Sequence, residues 1–497
     1  MATQLTSIGY SIKKDKFKFK KLLNSTRELN VSPFIRSGYG PARPKSYPVY
    51  KESETKLYLP RHYGLQNYGD TEVKDLTLGI PINLKFKGKL RPIQEKSVAA
   101  FMETIGPDNK SFPSRKFSHG GILSLPCGFG KTILSLYLIS LIGKKTIICV
   151  HKEFLMHQWH ERIQQFLPGA KVGIIQQKKV DVVNKDIVIA MVQSLALRDY
   201  DKKILDQFGM VIFDECHHLS SEVFCRCLPK ISARITLGLS ATPTRSDGLT
   251  KVFKWFLGDI LFRTKRKKDN IDKTVRCITL DSEKAGYGKE IRVQWTGNLN
   301  SAAMLNKIAE HEPRTSLIAE LAKAIIHNNN KRQILILSGR RSHLDALYDI
   351  IAKTQIPIGY YVGGMNQDSL KESEKCKIIL ATYNMAAEGL DIKSLNTLLL
   401  ATPMSNVVQA VGRILRVVDK NLPPMIVDII DDFSSFSKQS LKRKKIYKSQ
   451  GFNKVISMTP NSENWCDEIP RFLKKQNTNI TCIKSEDKSY LFDSDSE

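Results

Sequence analysis

The chain has 497 residues, 41% of them apolar, which is too long for one small core and enough for two or three domains. Against 49 Asp and Glu stand 77 Lys and Arg, and the net charge of +28 suits a polyanionic partner, nucleic acid before acidic lipid. The 9 cysteines are sparse and irregular, which excludes a secreted disulfide framework. No apolar leader follows Met1, and the longest apolar run, Ile133–Ile142, is about half a membrane span. The expectation is a soluble intracellular protein with no membrane partner.

Residues 1–85 are expected as a basic N-terminal arm and lead-in. Lys and Phe interleave in KKDKFKFKK, which suits phosphate contact with base stacking; a solvated tail is an equal reading. The aromatic and proline-containing stretch 46–88 is expected to pack on the α/β region C-terminal to it. Residues 86–264 then alternate short apolar runs with helical periods: TIICV, VGII, DIVIAM, MVIFDE and ITLGLSAT against segments such as 151–167. Such alternation predicts a parallel sheet covered on both faces. KRKK at 265–268 and the polar stretch to 312 are expected as a basic linker or insertion. A second α/β unit spans 313–456, with strands in QILILS, IGYYVG, KIILAT, TLLLAT and MIVDII, and a basic helix-like stretch after Asp432. The remainder, 457–497, is a polar tail ending in DSDSE.

The stretch LSLPCGFGKTILSL, 123–136, reads as strand, glycine loop and helix, the setting a phosphate-binding loop needs. Pro126, Cys127, Gly128, Phe129 and Gly130 form the loop. There the backbone N–H groups and the positive helix end can converge on a polyphosphate. Lys131 would reach the β/γ-phosphates and Thr132 would hold Mg²⁺. The full pattern asks for glycine where Leu125 stands, which leaves an ordinary glycine-rich turn as the competing reading. The strand MVIF delivers Asp214 and Glu215, one suited to Mg²⁺ and the other to polarising the attacking water. A zinc site at Cys216, His217, His218, Cys225 and Cys227 is disfavoured, because Cys225-Arg-Cys227 lacks the usual two-residue spacer.

D-E-x-H after a G-x-G-K-T loop resembles the superfamily 2 DEAD/H-box helicases and translocases. LSATPTR at 239–245 and Q-A-V-G-R-I-L-R at 409–416 match further motifs of that superfamily. LRPIQ, VHKEFLMHQW, MVQSL, LSGRRSHLDAL and ATYNMAAEGLDI resemble the remaining ones in order. Their detail is most similar to the XPB/UvrW-like branch and to large DNA virus helicases of the poxvirus transcript-release type. Arg245-Ser246-Asp247 stands where XPB has Arg-Glu-Asp.

The resemblance implies two tandem RecA-like domains with parallel sheets and an ATP cleft between them. It implies that Gln94 contacts adenine, that Ser240, Ala241 and Thr242 couple hydrolysis to strand handling, and that Glu388, Gly389 and Asp391 sense nucleotide and nucleic acid together. His217 belongs to the D-E-x-H motif, and Gln409, Arg413 and Arg416 to the second-lobe motif. An arginine from the facing lobe can stabilise charge on the transferring phosphoryl group, and Arg413 and Arg416, one turn apart on a helix, fit that task. The expected function is an ATP- and Mg²⁺-dependent helicase or translocase acting on DNA or RNA. Its expected setting is transcription or repair in a large DNA virus, with the transcription machinery as a partner and the virion or viral factory as location. The alternatives are an annealing or remodelling motor, and an ATP-insensitive nucleic-acid binding protein.

Overall fold

The computed structural model describes residues 2–34, 45–71, 73–105, 119–126, 128–245, 247–264, 271–388, 390, 392–416, 419 and 421–459. It divides into two compact units, Met1–Arg266 and Lys267–Glu497.

The first unit opens with strands β1 (Thr3–Thr6) and β2 (Gly9–Lys13), helix α1 (Phe19–Glu28) and the short pair β3 (Asn30–Val31) and β4 (Tyr47–Pro48). Strands β5 (Lys51–Glu52) and β6 (Lys56–Leu59) and helix α2 (Arg61–Tyr68) come next. Four strands form an antiparallel sheet in the order β1-β2-β6-β5. The expected basic arm and lead-in is thus corrected to a folded module. Leu5, Tyr10, Ile12, Leu57 and Leu59 are buried, and strands only four or five residues long hide their pattern among exposed lysines such as Lys18, Lys20 and Lys21. The two phenylalanines of the basic run part company: Phe17 meets Tyr68 edge-on at 5.1 Å, whereas Phe19 is exposed.

The module packs on the α/β domain behind it. Tyr47 donates its hydroxyl to Ser220 O, and the Arg61 guanidinium donates to Ala233 O and Arg234 O at 2.9 and 3.1 Å. Tyr63 meets Trp255 edge-on at 5.3 Å, and Phe34 N–H donates to Asp247 O at 2.8 Å.

That domain is an eight-stranded sheet: β7 (Gly120–Ser124), β8 (Thr146–Val150), β9 (Val172–Gln176), β10 (Lys179–Asp181), β11 (Ile187–Met191), β12 (Met210–Phe213), β13 (Ile235–Ser240) and β14 (Ile260–Arg263). Their order is β10-β9-β11-β8-β12-β13-β7-β14, parallel throughout except for the β9–β10 hairpin. Its helices are α3 (Pro92–Met102), α4 (Lys131–Ile142), α5 (Glu153–Phe166), α6 (Val192–Leu197), α7 (Lys202–Leu205) and α8 (Thr250–Leu257). Alternate strand residues serve opposite faces. Ile147, Cys149, Val188, Ala190, Val211 and Phe213 share a core with α6, α8 and the N-terminal module; Ile148, Val150, Ile187, Ile189, Met210 and Ile212 pack with α3, α4 and α5. Burial on both faces is why the strands read as unbroken apolar runs.

The second unit holds seven parallel strands: β15 (Thr274–Leu280), β16 (Ile334–Ser338), β17 (Ile358–Tyr361), β18 (Ile378–Thr382), β19 (Thr397–Leu400), β20 (Met425–Asp431) and β21 (Lys454–Met458). Their order is β17-β18-β16-β19-β20-β15-β21. The helices are α9 (Ser301–Glu310), α10 (Glu312–Asn328), α11 (Arg341–Ile351), α12 (Gln367–Glu374), α13 (Tyr383–Glu388), α14 (Val408–Ile414) and α15 (Ser434–Ser449). Strand β15 and helix α9 lie within the stretch expected as a linker, which is therefore corrected: β15 pairs with both β20 and β21. Arg276, buried in mid-strand with its pKa lowered by burial, interrupts the apolar run that would have announced it. The KRKK run and residues 460–497 lie outside the described residues.

Strand β20 carries two buried carboxylates, each held by a buried arginine. Arg443 donates Nε to Asp428 at 3.0 and 3.1 Å, and Tyr447 donates its hydroxyl to the same carboxylate at 2.9 Å. Arg314 binds Asp431 through Nε and Nη2 at 2.8 and 2.9 Å, joined by the Tyr287 hydroxyl at 2.8 Å. These pairs fasten α15 and α10 to the sheet with their charges satisfied. No helix among the described residues is long and apolar enough to cross a membrane.

Candidate nucleotide site

The candidate site lies at the carboxyl ends of β7, β12 and β13, where ligands of parallel α/β sheets bind. After β7 come Leu125 and Pro126, then Gly128, Phe129 and Gly130 lead into α4. Gly130, the residue before that helix, takes φ 76, and a Cβ there would sit 2.5 Å from Gln94 Nε2, so only glycine fits. No side chain caps α4, and its positive end with the first-turn N–H groups is presented to the loop. Cys127 lies outside the described residues.

Gln94, expected at adenine, uses both ends of its amide on the protein. Nε2 donates to Phe129 O and Gly130 O, each at 3.1 Å, and Oε1 accepts Arg91 N–H at 2.8 Å. In this structure it is a brace under the phosphate loop.

Lys131 Nζ and Glu215 Oε1 are 2.8 Å apart, each side chain 13% exposed. Glu215 sits in the left-handed region at φ 45, which turns its carboxylate back toward the loop. Burial pushes that carboxyl up, but Lys131, His217 and His218 outweigh it and hold it down to about 2. Its other oxygen, Oε2, has no hydrogen-bond partner among the described residues and lies 3.4 Å from His217 Nδ1. Burial and the adjacent Glu215 raise the Asp214 carboxyl. Asp214 Oδ2 accepts the Trp159 indole N–H at 2.9 Å, and Oδ1 accepts the Glu215 N–H at 3.0 Å.

His217, pushed down to about 4 by burial, is the neutral imidazole at physiological pH. Its Nδ1 lies 3.0 Å from Ser240 Oγ, which also accepts Thr242 N–H at 3.2 Å. The D-E-x-H and Ser-Ala-Thr motifs are therefore in direct contact. Arg245 extends the network: Nη1 donates to His217 O at 2.6 Å, and its guanidinium is gripped by Asp247. Trp159 is legible in sequence only as the last residue of H-Q-W, and Arg245 and Asp247 only as the ends of the Arg-Ser-Asp triplet; the contacts they make here depend on the fold.

An orphaned carboxylate oxygen beside a raised carboxyl and a lysine suits a hydrated divalent cation held mainly by phosphate oxygens. Thr132 and Asp214 are the residues that the motifs lead one to expect as its holders, and the open oxygen beside them is that of Glu215. Among the described residues no cluster of three or more acidic, histidine or cysteine side chains forms a self-sufficient metal cage.

In the second unit, Gln409 and Arg413 lie four residues apart on α14. Arg413 is buried, its Nε donating to Ala386 O at 2.7 Å. Arg416 is not on that helix, correcting the expected shared face. The helix ends at Ile414, and Leu415 beyond it has already left helical geometry at φ −104 and ψ 9. Gly389 and Asp391, and the side chain of Glu388, lie outside the described residues.

A glycine loop opening a helix, opposed by an acidic pair on a parallel sheet, defines a RecA-like nucleoside-triphosphate-binding domain. The family described as Type III restriction enzyme, res subunit, matches residues 87–245, and the Helicase conserved C-terminal domain matches 316–418. A chain of Acanthamoeba polyphaga mimivirus that bears the name of an ATP-dependent RNA helicase is 32% identical over 459 residues, covering 91% of this chain and 86% of its own. One of African swine fever virus with the same kind of name is 27% identical over 365 residues, covering 66% and 69%. The solved structure of S. cerevisiae Dbp5 bound to RNA and ADP BeF3 aligns with a TM-score of 0.50 at 14% identity, covering 78% of this chain and 98% of its own, a likeness of fold.

The chain belongs to the superfamily 2 helicases and is similar to those of large DNA viruses. It is an ATP-hydrolysing enzyme with nucleic acid as its partner.

Proposed function

We propose that this helicase couples Mg²⁺-dependent ATP hydrolysis to movement along nucleic acid and separation of its strands, in the transcript-release step of a large DNA virus. The observation that carries the reading is the Lys131–Glu215 pair beside Asp214 and the His217–Ser240 contact. In the pair, each residue serves as counter-ion for the other. A polyphosphate at the α4 terminus competes for Lys131, and Glu215 then loses the cation that depresses its proton affinity. The carboxylate becomes a better base when the nucleotide is in place.

In this reading Lys131 and the loop N–H groups bind the phosphates. Thr132 and Asp214 hold Mg²⁺, which when bound neutralises charge on the phosphoryl oxygens. Glu215 takes the proton of the attacking water, and His217 with Ser240, Ala241 and Thr242 carries nucleotide state to the nucleic-acid-bearing loops. Arg413 and Arg416, on the strength of their motif, stabilise the transferring phosphoryl group. The substrate is proposed to be RNA or an RNA–DNA hybrid, supported by the names of the viral relatives. The transcription machinery is the proposed partner, and the virion or viral factory the proposed location.

Steady-state ATP hydrolysis with no nucleic acid, single-stranded DNA, duplex DNA, single-stranded RNA and hybrid tests this. Stimulation by RNA or hybrid supports transcript release, and stimulation confined to DNA moves the enzyme to repair. Strand displacement measured beside annealing separates a helicase from an annealing motor.

A further inference from the structure

Between β15 and α9 the chain forms a braced hairpin. Val293 N–H donates to Asn298 O at 2.8 Å, Gly297 N–H to Val293 O at 2.9 Å and Asn300 N–H to Ile291 O at 2.7 Å. The Arg292 guanidinium closes the turn onto Gly297 O at 3.0 Å and pairs with Glu290 at 2.6 Å. At the base, Ile291 and Leu299 pack on the cluster of Tyr287, Met304, Ile308, Phe433 and Phe436. The side chain of Asn300 caps α9 through Ala303 N–H at 3.0 Å.

This fixed turn presents Trp295 with 91% of its surface exposed. Trp159 and Trp255, by contrast, are buried and partnered, on Asp214 and Tyr63 respectively. An indole offers roughly 150–250 Å² of contact surface, and leaving it in water on a loop held this firmly forgoes that contact. Its chain neighbours Gln294, Thr296 and Gly297 are exposed too and none is a large apolar residue, so among the described residues of this turn the ring stands without an apolar patch of the kind a protein partner covers.

The hairpin leaves the carboxyl end of β15, which runs parallel to β20 and to the strands feeding the second unit's motif loops. That is the edge at which parallel α/β sheets bind ligands. An isolated ring on a segment that also carries the exposed cation Lys289 matches the stacking-platform-plus-cation pattern of single-strand recognition.

We propose that Trp295 is a nucleobase-stacking residue that holds an unpaired base of the strand on which the enzyme acts. The inference rests on the nucleic-acid reading above and adds a site that no helicase motif of this chain includes.

The chain has 4 tryptophans, so emission on titration with dT and U oligonucleotides, compared between the full-length protein and Trp295→Phe, reads this residue alone. The expected result is quenching in the parent that is absent in Trp295→Phe. Trp295→Ala should weaken oligonucleotide binding about 10-fold, from a stacking contribution of about 1–3 kcal/mol per base, with Phe restoring most of the affinity. ATP hydrolysis without nucleic acid should stay at the parent rate in both variants. Equal affinities in the parent and Trp295→Ala, with quenching retained in Trp295→Phe, overturn the stacking role while leaving the nucleic-acid reading intact. If Trp295→Ala changes only the sedimentation of the protein, the indole is a self-association contact and the proposal fails. A parent protein that binds neither oligonucleotide overturns the proposal together with the reading beneath it.

Discussion

Lys131 and Glu215 are 84 residues apart in sequence and 2.8 Å apart in the fold, each answering the other's charge at the mouth of the phosphate loop. Breaking the pair from either side should give different defects. Glu215→Gln keeps a hydrogen-bonding side chain of the same shape and should bind ATP while turnover falls at least about 100-fold, the ordinary contribution of a general base. Lys131→Ala should lose nucleotide binding itself. Fluorescent-nucleotide binding measured beside steady-state hydrolysis distinguishes the two, and near-parent turnover in Glu215→Gln removes the base assignment.

Trp159 reaches Asp214 with its indole N–H. Trp159→Phe keeps the ring in its core and deletes only that donor. The Mg²⁺ concentration for half-maximal hydrolysis should rise about 10-fold, as for the loss of a hydrogen bond that orients a metal ligand. The rate at saturating Mg²⁺ should recover. An unchanged Mg²⁺ requirement would leave Trp159 a packing residue only.

Arg443 is the counter-ion of a fully buried carboxylate. Arg443→Ala strands Asp428 without its cation, and about 3–5 kcal/mol of the second unit's stability should go with it. Urea unfolding read by far-UV circular dichroism should show this as an early transition. A midpoint at the parent value contradicts the assignment of the pair as an anchor.

Acid should weaken the fold through buried histidines. His62 and His343 are pushed down to about 3 by burial, with Arg61 and Arg314 opposing their protonation, whereas an unfolded histidine titrates near 6.5. Between those values the unfolded chain binds the extra proton. The contribution is thus whole above about pH 6.5 and is lost as pH falls toward 3, at about 1.4 kcal/mol per pH unit per histidine. Urea melts at pH 7 and pH 5 should differ less in His343→Gln than in the parent, and an identical pH dependence excludes His343.

Burial decides which elements the sequence announces and which it hides. Strands such as β8 and β12 have both faces covered and stand out as continuous apolar runs. The phosphate loop and the acidic pair are legible because their chemistry demands particular residues at fixed spacing. Strand β15 escaped because Arg276 is buried inside it, and the N-terminal sheet because short strands vanish among lysines. Arg416 lies beyond a helix that stops two residues earlier, an end its motif spacing does not reveal. Gln94 has both ends of its amide bound to the protein, a fact that depends on backbone groups no motif encodes. Trp295 is silent in sequence because nothing in Q-W-T-G distinguishes an exposed indole from a buried one.

The N-terminal module shares its core with the sheet that carries the phosphate loop, and its Tyr47 and Phe34 clasp Ser220 and Asp247, the segments flanking the D-E-x-H and Ser-Ala-Thr motifs. The smallest autonomous ATPase is therefore larger than the span the helicase motifs delimit. A chain begun at residue 86 would uncover Trp255 and its apolar surroundings to solvent, leaving a sticky wound in place of an enzyme.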